Sequence, residues 1–69
     1  MKYYFDFAKI RVFKWQNKLT TKQFCELCNI SQSVYNRMQK NDFSFSVDAL
    51  FRVAEVLNIK PLYLIEKEN

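Results

Sequence analysis

Apolar residues recur along the chain at intervals of three and four, and no stretch alternates strictly with a period of two. In a first predicted helix, over about residues 4–17, Phe7, Ile10 and Phe13 stand three apart on one face. Leu19 then leads into Thr20, Thr21, Lys22 and Gln23, which read as a helix start. The Thr20 hydroxyl accepts from a free backbone N–H, and Gln23 three residues later completes a capping box. Phe24, Leu27 and Cys28 form the apolar stripe of this second helix, 21–28. Ser31 is the N-cap of a third helix over 32–39, with Tyr35 and Met38 turned inward. After a loop at 41–45, Ser46 caps a fourth helix over 47–57, whose Val47, Leu50, Phe51, Ala54 and Leu57 fit a 3.6-residue period. Pro61 opens a fifth helix over 61–67, at a first-turn position where its missing N–H costs nothing. The expected fold class is all-α: five helices in a single domain over 1–69.

Asn29, Asn41 and Asn58 each follow a helical segment. Chains leave helices through a left-handed residue, for which glycine is the usual choice and asparagine the next best. This chain contains no glycine and uses the substitute three times.

Composition narrows the function. Of 69 residues, 49% are hydrophobic and 26% charged, enough for a small core and against disorder. The longest apolar runs, Tyr3-Tyr4-Phe5 and Leu62-Tyr63-Leu64-Ile65, fall far short of the roughly 20 residues of a membrane span. Asp6 and Lys9 interrupt the start of the chain, so no signal peptide is read there, and a cytoplasmic location without a membrane partner is expected. Without glycine there is no phosphate-cradling loop; without histidine the commonest general base and metal ligand is missing. Cys25 and Cys28 are spaced as CxxC, but a closed zinc site needs four ligands. They are read as small buried side chains on one helix, and no enzyme, cofactor, metal or small-molecule ligand is expected.

Charge is uneven. Residues 1–40 hold eight bases and two acids, a net +6, whereas 41–69 hold three bases and five acids, a net −2. A basic half on a small domain suggests a polyanionic partner.

Only Asn29, Ile30 and Ser31 join the second and third helices, and a connection this short is the helix-turn-helix signature. From Leu19 to Ile65 the chain resembles the lambda-repressor-like, Cro-type helix-turn-helix domain, also called the xenobiotic-response-element type. The matching text is LTTKQFCELCNISQSVYNRMQ followed by SVDALFRVAEVLNIKPLYLI, and KIRVFKWQNK looks like that family's basic first helix. The resemblance implies a DNA-binding regulator whose third helix enters the major groove N-terminus first. It also places Cys25 and Cys28 where the family usually has alanine. On this reading Gln32, Ser33, Asn36 and Arg37 face the bases: Gln32 or Asn36 pairs with adenine, Arg37 with guanine or a phosphate, and Val34 touches a thymine methyl or packs inward. Phosphate contacts are expected from Thr21 and Lys22 at the start of the second helix, with Lys14, Lys18 and Lys40 as additions. Two positions depart from the family. Thr21 stands where glutamine is common and is shorter, and the loop after the third helix carries Asp42 and Phe43 where bases are frequent.

The first helix carries a second stripe, Phe5, Ala8, Val12 and Trp15, and Leu62 and Tyr63 sit where the family is often acidic. Either the chain ends fold over one another into a larger core, or Phe5, Val12, Trp15, Leu62 and Tyr63 form the interface of a symmetric homodimer on a palindromic operator. The leading expectation is a stand-alone repressor of a phage, a mobile element or a toxin–antitoxin operon, bound to double-stranded DNA. Its rival is a protein-interaction module that keeps the fold and binds another protein through loop 42–45 or the helix-one stripe.

Overall fold

The computed structural model describes residues 2–68. Their order is β1 (Lys2–Phe5), α1 (Phe7–Gln16), α2 (Thr21–Cys28), α3 (Gln32–Gln39), α4 (Val47–Leu57), a 3-10 turn (Pro61–Leu64) and β2 (Ile65–Glu68). Three helix starts are written in single polar side chains. Thr20 Oγ1 accepts from the Gln23 N–H at 3.1 Å while Gln23 Oε1 accepts from the Thr20 N–H at 2.9 Å. Ser31 and Ser46 accept from the N–H groups of Val34 and Ala49, both at 3.1 Å.

The four α-helices among the described residues end by one device. Asn29, Asn41 and Asn58 take the expected left-handed conformation, with φ of 56°, 61° and 58°. In each case the next N–H reaches back five residues: Ile30 to the Cys25 carbonyl, Asp42 to Arg37, and Ile59 to Ala54. This doubled hydrogen-bond pattern satisfies carbonyls that the last helical turn leaves open. Lys18, with φ of 53°, closes α1 in the same way through the Leu19 N–H and the Lys14 carbonyl. It does so at the cost a Cβ carries in that region.

The five-helix expectation is corrected at both ends. The first helix begins at Phe7 rather than at residue 4, and only residues 61–64 of the proposed fifth helix coil, as a 3-10 turn. Lys2–Phe5 and Ile65–Glu68 pair antiparallel instead, with Phe5 opposite Ile65 and Lys2 opposite Glu68. Aromatic residues favour a pleated surface, but here the partner strand lies at the other end of the chain, where no local pattern records it. The Asp6 N–H extends the ladder to the Leu64 carbonyl at 2.7 Å, and Lys9 joins the Asp6 and Glu66 carboxylates. Those two carboxylates, Asp6 first, raise the pKa of the Lys9 ammonium.

Phe24, Ile10, Met38, Leu64 and Val53 are fully buried. Phe13 and Tyr35 meet Phe24 edge-on, with centroids 6.0 Å apart in both pairs, and Phe7 meets Tyr35 at 5.1 Å. On α4 the buried residues are Ala49, Val53 and Ala54, while Val47 and Phe51 of the expected stripe are exposed. That helix has apolar side chains on most of its circumference, so periodicity alone does not select the inner face. On α2 the inner stripe is Phe24, Cys25 and Cys28, and Leu27 is exposed.

Candidate nucleic-acid interface

The turn Asn29-Ile30-Ser31 sets α3 against α2, and Arg52 on α4 steadies it by donating to the Asn29 carbonyl at 3.0 Å while pairing with Asp48 at 2.7 Å. Tyr35 and Met38 are buried, so the opposite side of α3 faces outward. Gln32, Ser33, Asn36 and Arg37 are all exposed on it, and Val34 is half-buried at its margin. The four residues expected at the bases thus share one accessible face. Arg37 is also tied to the following loop: its Nη1 donates to the Ser44 carbonyl at 3.1 Å. The Ser44 N–H in turn donates to Asp42 Oδ1 at 2.9 Å. Hydrogen bonds from Ser44, then the charges of Arg37 and Lys40, hold the Asp42 carboxyl below its usual range. Phe43 stands exposed beside this loop and its ring lies 5.9 Å from that of Phe45.

The residues expected on phosphates are placed unequally. Lys22, Lys18 and Lys40 are exposed, and Thr21 is half-buried in the first turn of α2. Lys14 is half-buried, and its Nζ donates to Thr21 Oγ1 at 2.9 Å and to the Tyr35 hydroxyl at 2.6 Å. One ammonium therefore touches α2 and α3 from α1. From the sequence alone Lys14 is expected on phosphate and Tyr35 in the core, with no link between them. The overlooked signal is spacing: Phe7, Ile10 and Lys14 lie at i, i+3 and i+7, so Lys14 shares the buried stripe of α1.

Of the residues proposed for an interface between copies, Val12, Trp15, Leu62 and Tyr63 are exposed, Trp15 at 81% and Leu62 at 78%. Phe5 is removed from that set. It is only 5% exposed, its ring packs edge-on against Phe45 at 5.9 Å, and its N–H donates to Asn41 Oδ1 at 2.6 Å. The strand it ends turns it into the core. A groove of about 420 Å³ between α1 and the end of α4 is lined by Ala8, Val12, Phe13, Leu57 and Ile59.

Cys25 and Cys28 are buried free thiols, and the described residues contain no group of three or more side chains suited to a metal. Burial raises both pKa values, that of Cys28 to about 12, while the nearby Lys14 charge opposes the rise at Cys25. Neutral thiols in this setting act as small apolar side chains.

A family model described as helix-turn-helix matches residues 8–64. The chain belongs to the lambda-repressor/Cro-like helix-turn-helix family. It therefore carries the DNA-binding domain of a transcription regulator, and double-stranded DNA is the partner that the family binds. The match runs from the first turn of α1 through the 3-10 turn and leaves both strands outside it. No curated protein and no solved structure matches the chain. No helix among the described residues is long and apolar enough to cross a membrane.

Proposed function

We propose that the chain is a sequence-specific repressor, acting as a homodimer on a palindromic operator of a phage, mobile element or toxin–antitoxin operon. The observation that carries the reading is the outer face of α3, where Gln32, Ser33, Asn36 and Arg37 stand exposed over a helix anchored by buried Tyr35 and Met38. A major groove about 12 Å wide admits one helix, and its base edges carry a complete donor and acceptor code. Gln32 and Asn36 suit adenine. Arg37 suits guanine once its guanidinium leaves the Ser44 carbonyl. Thr21, Lys22, Lys18 and Lys40 supply the phosphate contacts that set the register.

The exposed stripe of Ala8, Val12 and Trp15, beside the groove on α1, supports a second copy as partner, together with exposed Leu62 and Tyr63. Two-fold symmetry places two recognition helices about 34 Å apart, one turn of duplex. Trp15 reports on this directly: its emission shifts on dilution when the dimer separates and stays constant for a monomer.

Selection of bound duplexes from a random pool tests the whole reading. One consensus with two inverted half-sites is expected. Arg37→Ala weakens binding by about 1–3 kcal/mol and relaxes preference at a single base pair. Equal affinity for every duplex sinks the proposal. A second reading, a protein-interaction module, draws on exposed Phe43 and on Arg37 being tied to the loop. Biological activity that survives loss of both Gln32 and Arg37 favours it.

A further inference from the structure

We propose that Lys14 is the positioning residue of the DNA-reading unit, acting through Thr21 and Tyr35 rather than on the duplex itself. The inference rests on the DNA-reading role of α3. The α3 helix has eight residues and hangs from a three-residue turn. Its inner packing through Met38 and the Tyr35 ring is mainly apolar, and burial of apolar surface is not by itself directional. A hydrogen bond is directional, and one to an ammonium is among the stronger kinds. Lys14 supplies such a link at both points that matter. At 2.9 Å it holds Thr21 Oγ1, in the first turn of α2, and at 2.6 Å it holds the hydroxyl of Tyr35.

Tyr35 immediately precedes Asn36 and lies between the two pairs of outward residues, Gln32 with Ser33 and Asn36 with Arg37. Turning α3 about its axis moves all four side chains across the base edges together. The Tyr35 ring is clamped edge-on by Phe7 and Phe24, so the hydroxyl is the end of a rigid lever. Holding that oxygen therefore holds the rotation of α3 relative to α2. Both hydroxyls accept from Lys14, which offsets the cost of half-burying its charge.

The test uses the full chain and two probes: the duplex that the wild-type chain enriches from a random pool, and a scrambled duplex of the same length. Lys14→Met keeps the length and loses the donors; Tyr35→Phe removes one oxygen and changes no charge. Unfolding curves identify a temperature at which every variant is folded, and binding is read there. Each single substitution is expected to lower the preference for the enriched duplex roughly tenfold, equivalent to about 1.4 kcal/mol. The double variant is expected to lose no more than the worse single one, because both remove the same bond. Tyr35→Phe is expected to leave the salt dependence at its wild-type slope. An unchanged preference in Tyr35→Phe overturns the proposal. So does a Lys14→Met variant that binds both duplexes equally weakly with a salt slope smaller by about 1, the signature of a direct phosphate contact. If the wild-type chain enriches no duplex, the sequence-specific reading itself has failed. Coupling between Lys14 and Tyr35 in unfolding then separates a bracket with no reading role from no bracket at all.

Discussion

The helix-turn-helix and the strand pair are built by opposite means. Each boundary of α2 and α3 is set within a few residues: Thr20 with Gln23, Asn29 with Cys25, Ser31 with Val34, Asn41 with Met38. The sheet joins Lys2–Phe5 to Ile65–Glu68, from the two ends of the chain, and lies outside the family match. The first region is a local device that the family shares. The second closes this particular chain over its own core, and its tie to the first is specific: Phe5 packs on Phe45 and donates to Asn41, the left-handed residue that ends α3. A terminal strand thus helps hold the exit of α3.

The sharpest break in the comparison comes from truncating one ring in each region. Phe24→Ala is expected to cost about 4 kcal/mol, and Phe5→Ala about 3 kcal/mol, both measured by urea unfolding. A cost below about 1 kcal/mol at Phe5 makes the sheet an appendage rather than part of the core. Next is the tie itself. Asn41→Ala loses both the left-handed preference and the acceptor for Phe5, about 2 kcal/mol together. Asn41→Gly keeps the backbone and loses only the acceptor, so its cost is about half that. An Asn41→Gly variant as stable as the wild-type chain shows that the bond to β1 contributes nothing.

Within the motif, Ser31→Ala is expected to cost about 1 kcal/mol, lost with the N-cap of α3. Lys18→Asn, which brings the fourth helix end into line with the other three, is expected to gain roughly 0.5 kcal/mol by relieving a left-handed lysine. The smallest effect concerns Asp42. Its carboxyl lies below the usual 3.8, so the stabilisation from Ser44 is complete above that pH and fades as pH falls through the lowered value. The Ser44 amide resonance should shift over that acid range while the resonances of β1 stay in place.

Much of the site was legible beforehand. Gln32, Ser33, Asn36 and Arg37 lie on the outer face because Tyr35 and Met38 occupy the inner one, a matter of 3.6-residue periodicity. The roles of Lys14 and of the Tyr35 hydroxyl were not legible, because each depends on an atom brought from a different helix. The inner face of α4 was also misplaced: with apolar residues on most sides, burial of Ala49 and Val53 rather than Val47 and Phe51 is settled by what packs against the helix.

Hydrogen bonds spanning three to five residues are local, so Thr20, Ser31, Ser46 and the three asparagines determined by themselves where helices start and stop. Pairing of the two chain ends, burial of Phe5 and the bracket at Lys14 join residues distant in sequence. Their favourable energy appears only after the loops between them have closed, so the assembled structure alone decided them.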